Sequence, residues 1–374
     1  MSAKGMRRIL LTGDTEGGVW TFTLELAGGL LTRGADVCLA TFGPAVTESQ
    51  KWEASKIAGL RWFHHHSKLE WMHEPWADIE CAGHWLEKVA AQWQPDLIHL
   101  NTLCHGALTW NVPVVITHHS SVTSWWHDVK RCPLPADWRH YQREVEHSLR
   151  SATIISAPSR SELAAIARDY DIDMAGARAV HNGLSSGVYQ VGEKEELILS
   201  AGRLWDEGKN VRALAEVAPR LPWPVYLAGD SRTSDGAAPA LIGCHLLGKL
   251  NRAELSVLYS RAAIYALPAR YEPFGLSILE AALSGCALLL GDIPSLREIW
   301  QDAAMFVSPD DSSSLEAGLC HLIADPIHRA RMSQLAYCRA CEFSQSRMVD
   351  GYLSLYQSAL AKYEKGLRRQ ACAS

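Results

Sequence analysis

The chain has 374 residues, 48% of them apolar, with 36 basic and 41 acidic residues and a net charge of −5. That length and apolarity suffice for a large core and favour two domains over one. The charge balance excludes a general electrostatic attraction to nucleic acid or anionic membranes, so no nucleic-acid partner is expected and only local patches stay open.

The opening "MSAKGMRRILLTGD" has two arginines but only three apolar residues before Thr-Gly-Asp, too few for a secretion signal core. No window offers the roughly 18 apolar residues of a spanning helix. The expected location is the cytoplasm, with peripheral contact at the inner face of the membrane left open. The ten cysteines fall mostly in stretches that read as core, such as Cys38, Cys104 and Cys286, and are expected to be buried reduced thiols. Cys338 and Cys341 form a C-x-x-C inside a helical pattern with no second pair, which does not support a zinc or redox site.

In chain order, "RRILLTGD" reads as a strand, followed by Gly17-Gly18 and a helix over "VWTFTLELAGGLLTRG" that stops at Gly34. "DVCLATFG", "DLIHLN" and "VPVVITHHS" supply further strands with helical stretches between them. This alternation predicts a parallel sheet covered on both faces. The segment "NGLSSGVYQVGEKEE" is rich in Gly, Ser and charge and reads as a linker. The alternation then restarts with strands "LILSAGR", "PVYLAGD", "AIYALPAR" and "CALLLGD" and helices over "NVRALAEVAPRL", "RAELSVLYSRA" and "GLSILEAALSG". The expected division is a first α/β domain over 1–183, a linker over 184–196, and a second α/β domain over 197–345. A closing helix over 346–374 is expected to pack back on the first domain and to fray at "RRQACAS". Two doubly wound parallel sheets bind ligands at the carboxyl ends of their strands.

At one such end, "GRLWDEGKN" carries Arg203 and Lys209. Arginine forks across two phosphate oxygens and lysine acts as a point charge, a pairing that suits a diphosphate. The two residues alone fit a solvated loop equally well. In "RYEPFGLSILEAALSGC", Pro273 and Gly275 set a turn, and the following helix is expected to bury Leu276, Leu279 and Leu283, with Ser277, Glu280 and Ser284 on the neighbouring stripe. Free N–H groups around Phe274–Ser277 and the positive helix end suit phosphate, and Glu280 suits two vicinal ribose hydroxyls. Singly, Glu280 could merely favour the helix dipole and Glu272 could be an exposed loop acid. Their combination with Arg203, Lys209 and tandem sheets is not generic.

These stretches together resemble the retaining glycosyltransferases of the GT-B fold, in the large family-four class. Their signature is two glutamates separated by seven residues, here "EPFGLSILE". The likeness also covers "GDTEGGVWTFTLELAGGL", "VPVVITHHS", "HNGL", "SAGRLWDEGKN" and "LGKLNRAELSVLYSRAAIYALPARYEPFG", which together span nearly the whole chain. The resemblance implies two Rossmann-like domains facing an interdomain cleft, the first for acceptor and the second for a nucleotide-diphosphate sugar. It implies that Arg203 and Lys209 bind the diphosphate, Glu280 the ribose and Glu272 the transferred sugar. Backbone at Phe274, Gly275 and Leu276 would lie near the phosphates, Lys249 and Leu250 would face the nucleobase, and Gly17 and Gly18 would line the cleft. Of His118 and His119, the family pattern favours His119 as the functional one. The chain departs from common family residues at Ser120, Ala269 and Ser185-Ser186.

Ten of the 14 tryptophans lie between Trp52 and Trp138. Aromatic faces stack on sugar rings, so a carbohydrate, lipid-linked or small aromatic or amphiphilic acceptor is expected, with His118, Trp125, Trp126 and Asn182 as further contacts. Trp125 and Trp126 equally suit a lipid surface. The "HHH" at 64–66 does not read as a metal site, since adjacent residues point different ways and no acidic partner has ligand spacing.

The two glutamates do not act as a hydrolase pair, because Glu280 is committed to ribose and a hydrolase has no use for a phosphate loop. The expected reaction is hexosyl transfer from a nucleotide sugar to an acceptor hydroxyl with retention, by front-face attack. Arg203, Lys209 and the helix end stabilise the leaving diphosphate, and no metal or other cofactor is needed. A uridine donor is favoured over guanosine because it is common in the class. The alternatives are a sugar-nucleotide epimerase on the same fold and a non-catalytic sugar-nucleotide-binding protein.

Overall fold

The computed structural model describes residues 8–231 and 241–373. It divides into two compact units. Unit 1 contains Met1–His127, Cys132–Gly183 and Gln345–Ser374, and unit 2 contains Asp128–Arg131 and Leu184–Ser344.

Unit 1 is built on seven strands: β1 (Arg8–Asp14), β2 (Asp36–Gly43), β3 (Arg61–His66), β4 (Leu97–Leu100), β5 (Val114–Thr117), β6 (Ile154–Ala157) and β7 (Arg178–Ala179). They pair in the order β3-β2-β1-β4-β5-β6-β7, and every pair is parallel. Leu10 sits between Cys38 and Ile98 in register. The middle of β1 is fully buried, as expected of a strand covered by helices on both faces.

Unit 2 has six strands: β8 (Glu195–Ala201), β9 (Val225–Ala228), β10 (His245–Gly248), β11 (Ala262–Leu267), β12 (Ala287–Gly291) and β13 (Met305–Val307). Their order is β10-β9-β8-β11-β12-β13, again all parallel. In each sheet the winding reverses once, between β1 and β4 and between β8 and β11. Beyond the carboxyl ends of such neighbours the two outgoing loops diverge and leave a crevice. At the β8–β9 end, Gly229 has φ +142°, and a side chain there would collide with the Gly202 carbonyl oxygen, so both outgoing loops start from closely apposed glycine backbone.

The closing helix Gln345–Ala373 belongs to unit 1 and takes in the tail expected to fray up to Ala373, Ser374 lying outside the described residues. Its Met348, Val349, Tyr352, Leu355, Tyr356 and Ala359 are buried. Each large apolar side chain so covered contributes about 1.5–3 kcal/mol. Two of its tyrosines reach polar groups inside the sheet. Tyr356 OH lies 2.7 Å from His99 Nδ1, and His99 Nε2 is 2.6 Å from Thr117 Oγ1. Thr117 Oγ1 in turn meets Ser156 Oγ at 3.1 Å and Tyr352 OH at 3.3 Å. The strands β4, β5 and β6 each give one polar residue to this buried network, which the helix completes.

The cysteine expectation needs correction. Of the nine cysteines whose side chains are described, Cys38 and Cys286 are buried, whereas Cys81, Cys132, Cys338 and Cys341 are exposed. Apolar composition around a cysteine marks an amphipathic helix, but not which face of it the thiol occupies. Among the described residues no helix is long and apolar enough to cross a membrane, and no group of three or more His, Cys, Asp or Glu side chains is arranged to hold a metal ion.

Candidate functional site

In unit 2 the loops after β8 and β11, the two strands at the winding reversal, are stitched together by hydrogen bonds. Gly208 O accepts from Arg270 N at 2.8 Å and from Tyr271 N at 3.2 Å. Asn210, with φ +54°, donates from Nδ2 to Pro268 O at 2.9 Å and to Pro309 O at 2.7 Å. Its Oδ1 accepts from Arg270 Nη1 at 2.6 Å. A single buried amide thus satisfies three loops, and its left-handed backbone is one that asparagine tolerates.

This frame holds Arg203 and Lys209. Arg203 Nη2 donates to Asp206 Oδ2 at 3.0 Å, while Asp206 Oδ1 accepts from Gly208 N at 2.8 Å. The guanidinium also stands 5.5 Å from the centre of the Trp205 ring. Lys209 Nζ forms an ion pair with Glu272 Oε2. Both side chains are largely enclosed, at 17% and 9% exposure, so each relieves the other's desolvation. Glu272 is held from behind as well, its carbonyl accepting from Ser295 Oγ at 2.6 Å.

Phe274 is buried and packs its ring against Phe343 at 5.6 Å. Gly275 follows with φ +88° and caps the helix Leu276–Leu283, which has no side-chain cap and no acid in its first turn. The first N–H groups of a helix lack intrahelical acceptors, so this end presents uncompensated donors and positive potential. At the other end Lys194 Nζ donates to Ser284 O at 2.6 Å and to Tyr259 O at 3.0 Å.

The buried face of this helix differs from the expected stripe. Ile278, Leu279, Ala281, Ala282 and Leu283 are buried, while Leu276 is only partly so, because it occupies the open first turn. Glu280 is buried in the second turn. Its Oε1 accepts from Tyr189 OH at 2.8 Å, and Tyr189 OH accepts from Arg252 Nε at 3.0 Å. Burial first, and the Glu280 charge second, hold the Tyr189 hydroxyl well above the ordinary phenol range, so it stays a donor. Lys249 and Leu250 follow β10, an edge strand of the sheet. Lys249 is exposed and Leu250 packs partly against the core.

In unit 1, Gly17 (φ +66°) caps the helix Gly18–Thr32 directly after β1, and both glycines are exposed. His118 and His119 follow β5 and part ways. His118 is fully buried, with Nδ1 3.0 Å from Glu162 Oε1. His119 is partly exposed, its Nε2 is 2.8 Å from Asn101 Oδ1, and its ring meets Phe22 at 4.4 Å. Enclosure first, and His118 second, push its pKa down to about 3, so the ring is neutral. Asn182 is buried and its Oδ1 has no hydrogen-bond partner among the described residues. Trp125 and Trp126 are half-buried against each other, 5.9 Å between ring centres, rather than an exposed pair. In the His64–His66 run, His64 Nδ1 meets Thr41 Oγ1 at 3.2 Å while His65 stacks on Trp85. Strand alternation turns the neighbours to opposite faces.

Two family models divide the chain between them. "Glycosyltransferase Family 4" matches residues 16–186 and "Glycosyl transferases group 1" matches residues 185–339. The chain belongs to the group 1 glycosyltransferases. It is 25% identical over 178 residues to the O-antigen chain mannosyltransferase RfbU of Salmonella typhimurium, covering 44% of this chain and 50% of that protein. The chain thus spans about half the length of that relative. It is also 25% identical over 309 residues to the glycogen synthase of Mycobacterium tuberculosis, covering 74% of this chain and 73% of the synthase. The solved structure of Anabaena HepE in complex with UDP and glucose superposes with a TM-score of 0.76 at 16% identity, covering 94% of this chain and 100% of HepE. The fold of this group 1 glycosyltransferase is GT-B, with two Rossmann-like units.

Several residues that organise these loops in the group 1 chain escape a reading by motif: Asn101, Tyr189, Asp206, Asn210, Arg252 and Arg270. Apart from the local Asp206, their partners lie far along the chain: Glu280 is 91 positions from Tyr189, Tyr189 is 63 from Arg252 and Asn210 is 60 from Arg270, while Asn101 reaches Thr12 89 positions away and His119 18 positions away.

Proposed function

We propose that the protein transfers a hexosyl group from a nucleoside-diphosphate sugar to an acceptor hydroxyl, with retention at the anomeric carbon. One observation carries this reading. Arg203 and the Lys209–Glu272 pair stand on stitched loops beside a helix end that has no acid in its first turn. The pyrophosphate of the donor lies against Arg203, Lys209 and the N–H groups of Gly275–Ser277, and Glu280 accepts from the ribose. Lys249 and Leu250 flank the base, and Glu272 meets the transferred sugar.

Departure of the diphosphate is the step these groups assist. As the glycosidic bond lengthens, negative charge grows on the phosphate oxygen, and fixed cations and N–H dipoles stabilise it without reorganising. The acceptor hydroxyl attacks from the face the phosphate leaves, and a phosphate oxygen takes its proton. Two side-chain cations already countercharge the diphosphate, so turnover persists in chelator. Unit 1 holds the acceptor, a carbohydrate or lipid-linked alcohol, through Gly17, Gly18, His119 and the tryptophan-rich 52–138 region. Uridine is the favoured base, a reading supported by the UDP bound in HepE.

The test is sugar transfer by the wild type and by Arg203→Ala and Lys209→Ala, with the anomer of the product determined by NMR. Each variant should lose about 10²–10³-fold in kcat, about 3–4 kcal/mol of transition-state stabilisation, with an unchanged circular dichroism spectrum. Near-normal turnover in either variant would overturn the assignment. An epimerised sugar formed from donor alone would overturn transfer as the activity.

A further inference from the structure

His119 is the histidine that the proposed function assigns to the substrate, and its chemistry depends on which ring nitrogen holds the proton. A neutral imidazole donates from one nitrogen and accepts at the other. The choice can be read from what Asn101 is already doing. Asn101 lies just beyond β4, and its backbone N donates to Thr12 Oγ1 at 2.8 Å while its Nδ2 donates to Thr12 O at 2.8 Å. A carbonyl oxygen only accepts, so the amide nitrogen is the group turned to Thr12 and Oδ1 is the group turned to His119. Oδ1 also only accepts. The 2.8 Å contact with His119 Nε2 therefore requires the proton on Nε2.

Nδ1 is then a bare lone pair. It has no hydrogen-bond partner among the described residues, and it is not sealed from solvent. The ring cannot turn over to exchange the two nitrogens freely, because Phe22 packs edgewise on it at 4.4 Å. Phe22 is itself buried between His99, His119 and Tyr352. Asn101 is in turn fixed to β1 through Thr12, so the neighbouring strands at the winding reversal of the first sheet jointly set the imidazole.

We propose that Asn101 is a positioning residue that fixes His119 as the Nε2–H tautomer and so presents Nδ1 as an acceptor for a sugar hydroxyl. Such a site prefers a hydroxyl to a hydrogen or an ether oxygen at the contacted carbon, because only the hydroxyl can donate. No covalent step is involved. The inference rests on the transferase reading for the identity of the hydroxyl, but not for the tautomer.

The experiment combines ring ¹⁵N NMR of the histidine-labelled full chain with transfer kinetics on the wild type, Asn101→Ala, Asn101→Asp, His119→Ala and the Asn101→Ala/His119→Ala double variant. His119→Ala identifies the resonances. The wild type should show Nε2–H only, and Asn101→Ala a mixture of tautomers with kcat lowered about tenfold. Asn101→Asp keeps an acceptor oxygen on the ring and should retain Nε2–H even if Asn101→Ala fails to fold. The double variant should be no slower than His119→Ala alone, as expected of two residues acting through one group. A wild-type ring protonated on Nδ1, an unaltered tautomer in Asn101→Ala, or losses that multiply in the double variant would each overturn the proposal. If the wild type transfers no sugar, the transferase reading fails separately, while the ring spectrum still decides the tautomer.

Discussion

Glu280 illustrates how a buried carboxylate is kept useful. Taken from water, a charged carboxyl is strongly penalised unless hydrogen bonds replace its hydration. Tyr189 supplies one at 2.8 Å, and Arg252 steadies that tyrosine at 3.0 Å. Tyr189→Phe removes the donor and leaves the ring, so Glu280 loses its orientation rather than its packing. Hydrogen bonds to charged groups contribute about 1.5–3 kcal/mol. Calorimetry should therefore show nucleoside-diphosphate affinity falling roughly tenfold or more in this variant, with a smaller loss for the 2′,3′-dideoxy analogue, which has no vicinal hydroxyls to present. Equal losses for the two ligands would refute the ribose role of Glu280. The glutamate itself is legible from its place in "EPFGLSILE", but its phenolic partner is not, since Tyr189 stands 91 positions earlier in a segment that reads only as linker.

The helix Leu276–Leu283 is short, and its start depends on one dihedral angle. At φ +88° Gly275 adopts backbone that side chains resist, and a Cβ there would press on Ile278 Cδ1. Gly275→Ala should lower the melting temperature of unit 2, by about 1 kcal/mol or more in stability. It should also weaken binding of inorganic pyrophosphate, because the first-turn N–H groups shift with the cap. Scanning calorimetry and titration with pyrophosphate measure the two effects, and an unchanged pyrophosphate affinity would remove the helix end from the binding site. This element, like β1, β2, β8 and β11, is readable from an apolar pattern that runs through it, and the helix is further marked by Gly275 before it and Gly285 after it. Strands β3, β6, β7, β10 and β13 are not named by the same reading. β3 is an edge strand of "RWFHHH" with Phe63 exposed, and the others have two to four residues. Their pairing comes from the neighbouring strand rather than from their own pattern. The stitching between the β8 and β11 loops is invisible for the same reason: it uses backbone atoms and the side chains of Asn210 and Arg270.

At the scale of the molecule, neutral histidines, two buried and one largely enclosed, gather in unit 1. Burial holds His99 well below the ordinary histidine range, His105 at about 4 and His119 at about 3. With folded values beneath the unfolded value of about 6.5, the unfolded chain takes up protons first as pH falls. Their contribution is fully present above pH ~6.5 and is lost progressively toward the folded values, at about 1.4 kcal/mol per pH unit for each ring. Calorimetric scans between pH 7 and 5 should show unit 1 losing stability much faster than unit 2, whose His245, His321 and His328 are exposed or only partly covered. His99→Gln, if it folds, should flatten the dependence by one proton's worth. A pH-insensitive unit 1 would contradict the neutral assignment of these rings.

The closing helix gives the chain an unusual order of assembly. A ribosome releases sequence from the amino end, yet the sheet made first receives the cover for one of its faces from residues 345 onward. All of unit 2 is synthesised before that cover exists. Until it arrives, the imidazole of His99 and the hydroxyl of Thr117 face water instead of Tyr356 and Tyr352. The part of the protein encoded earliest is consequently the last to mature, and during translation it is the part that most needs shelter from aggregation.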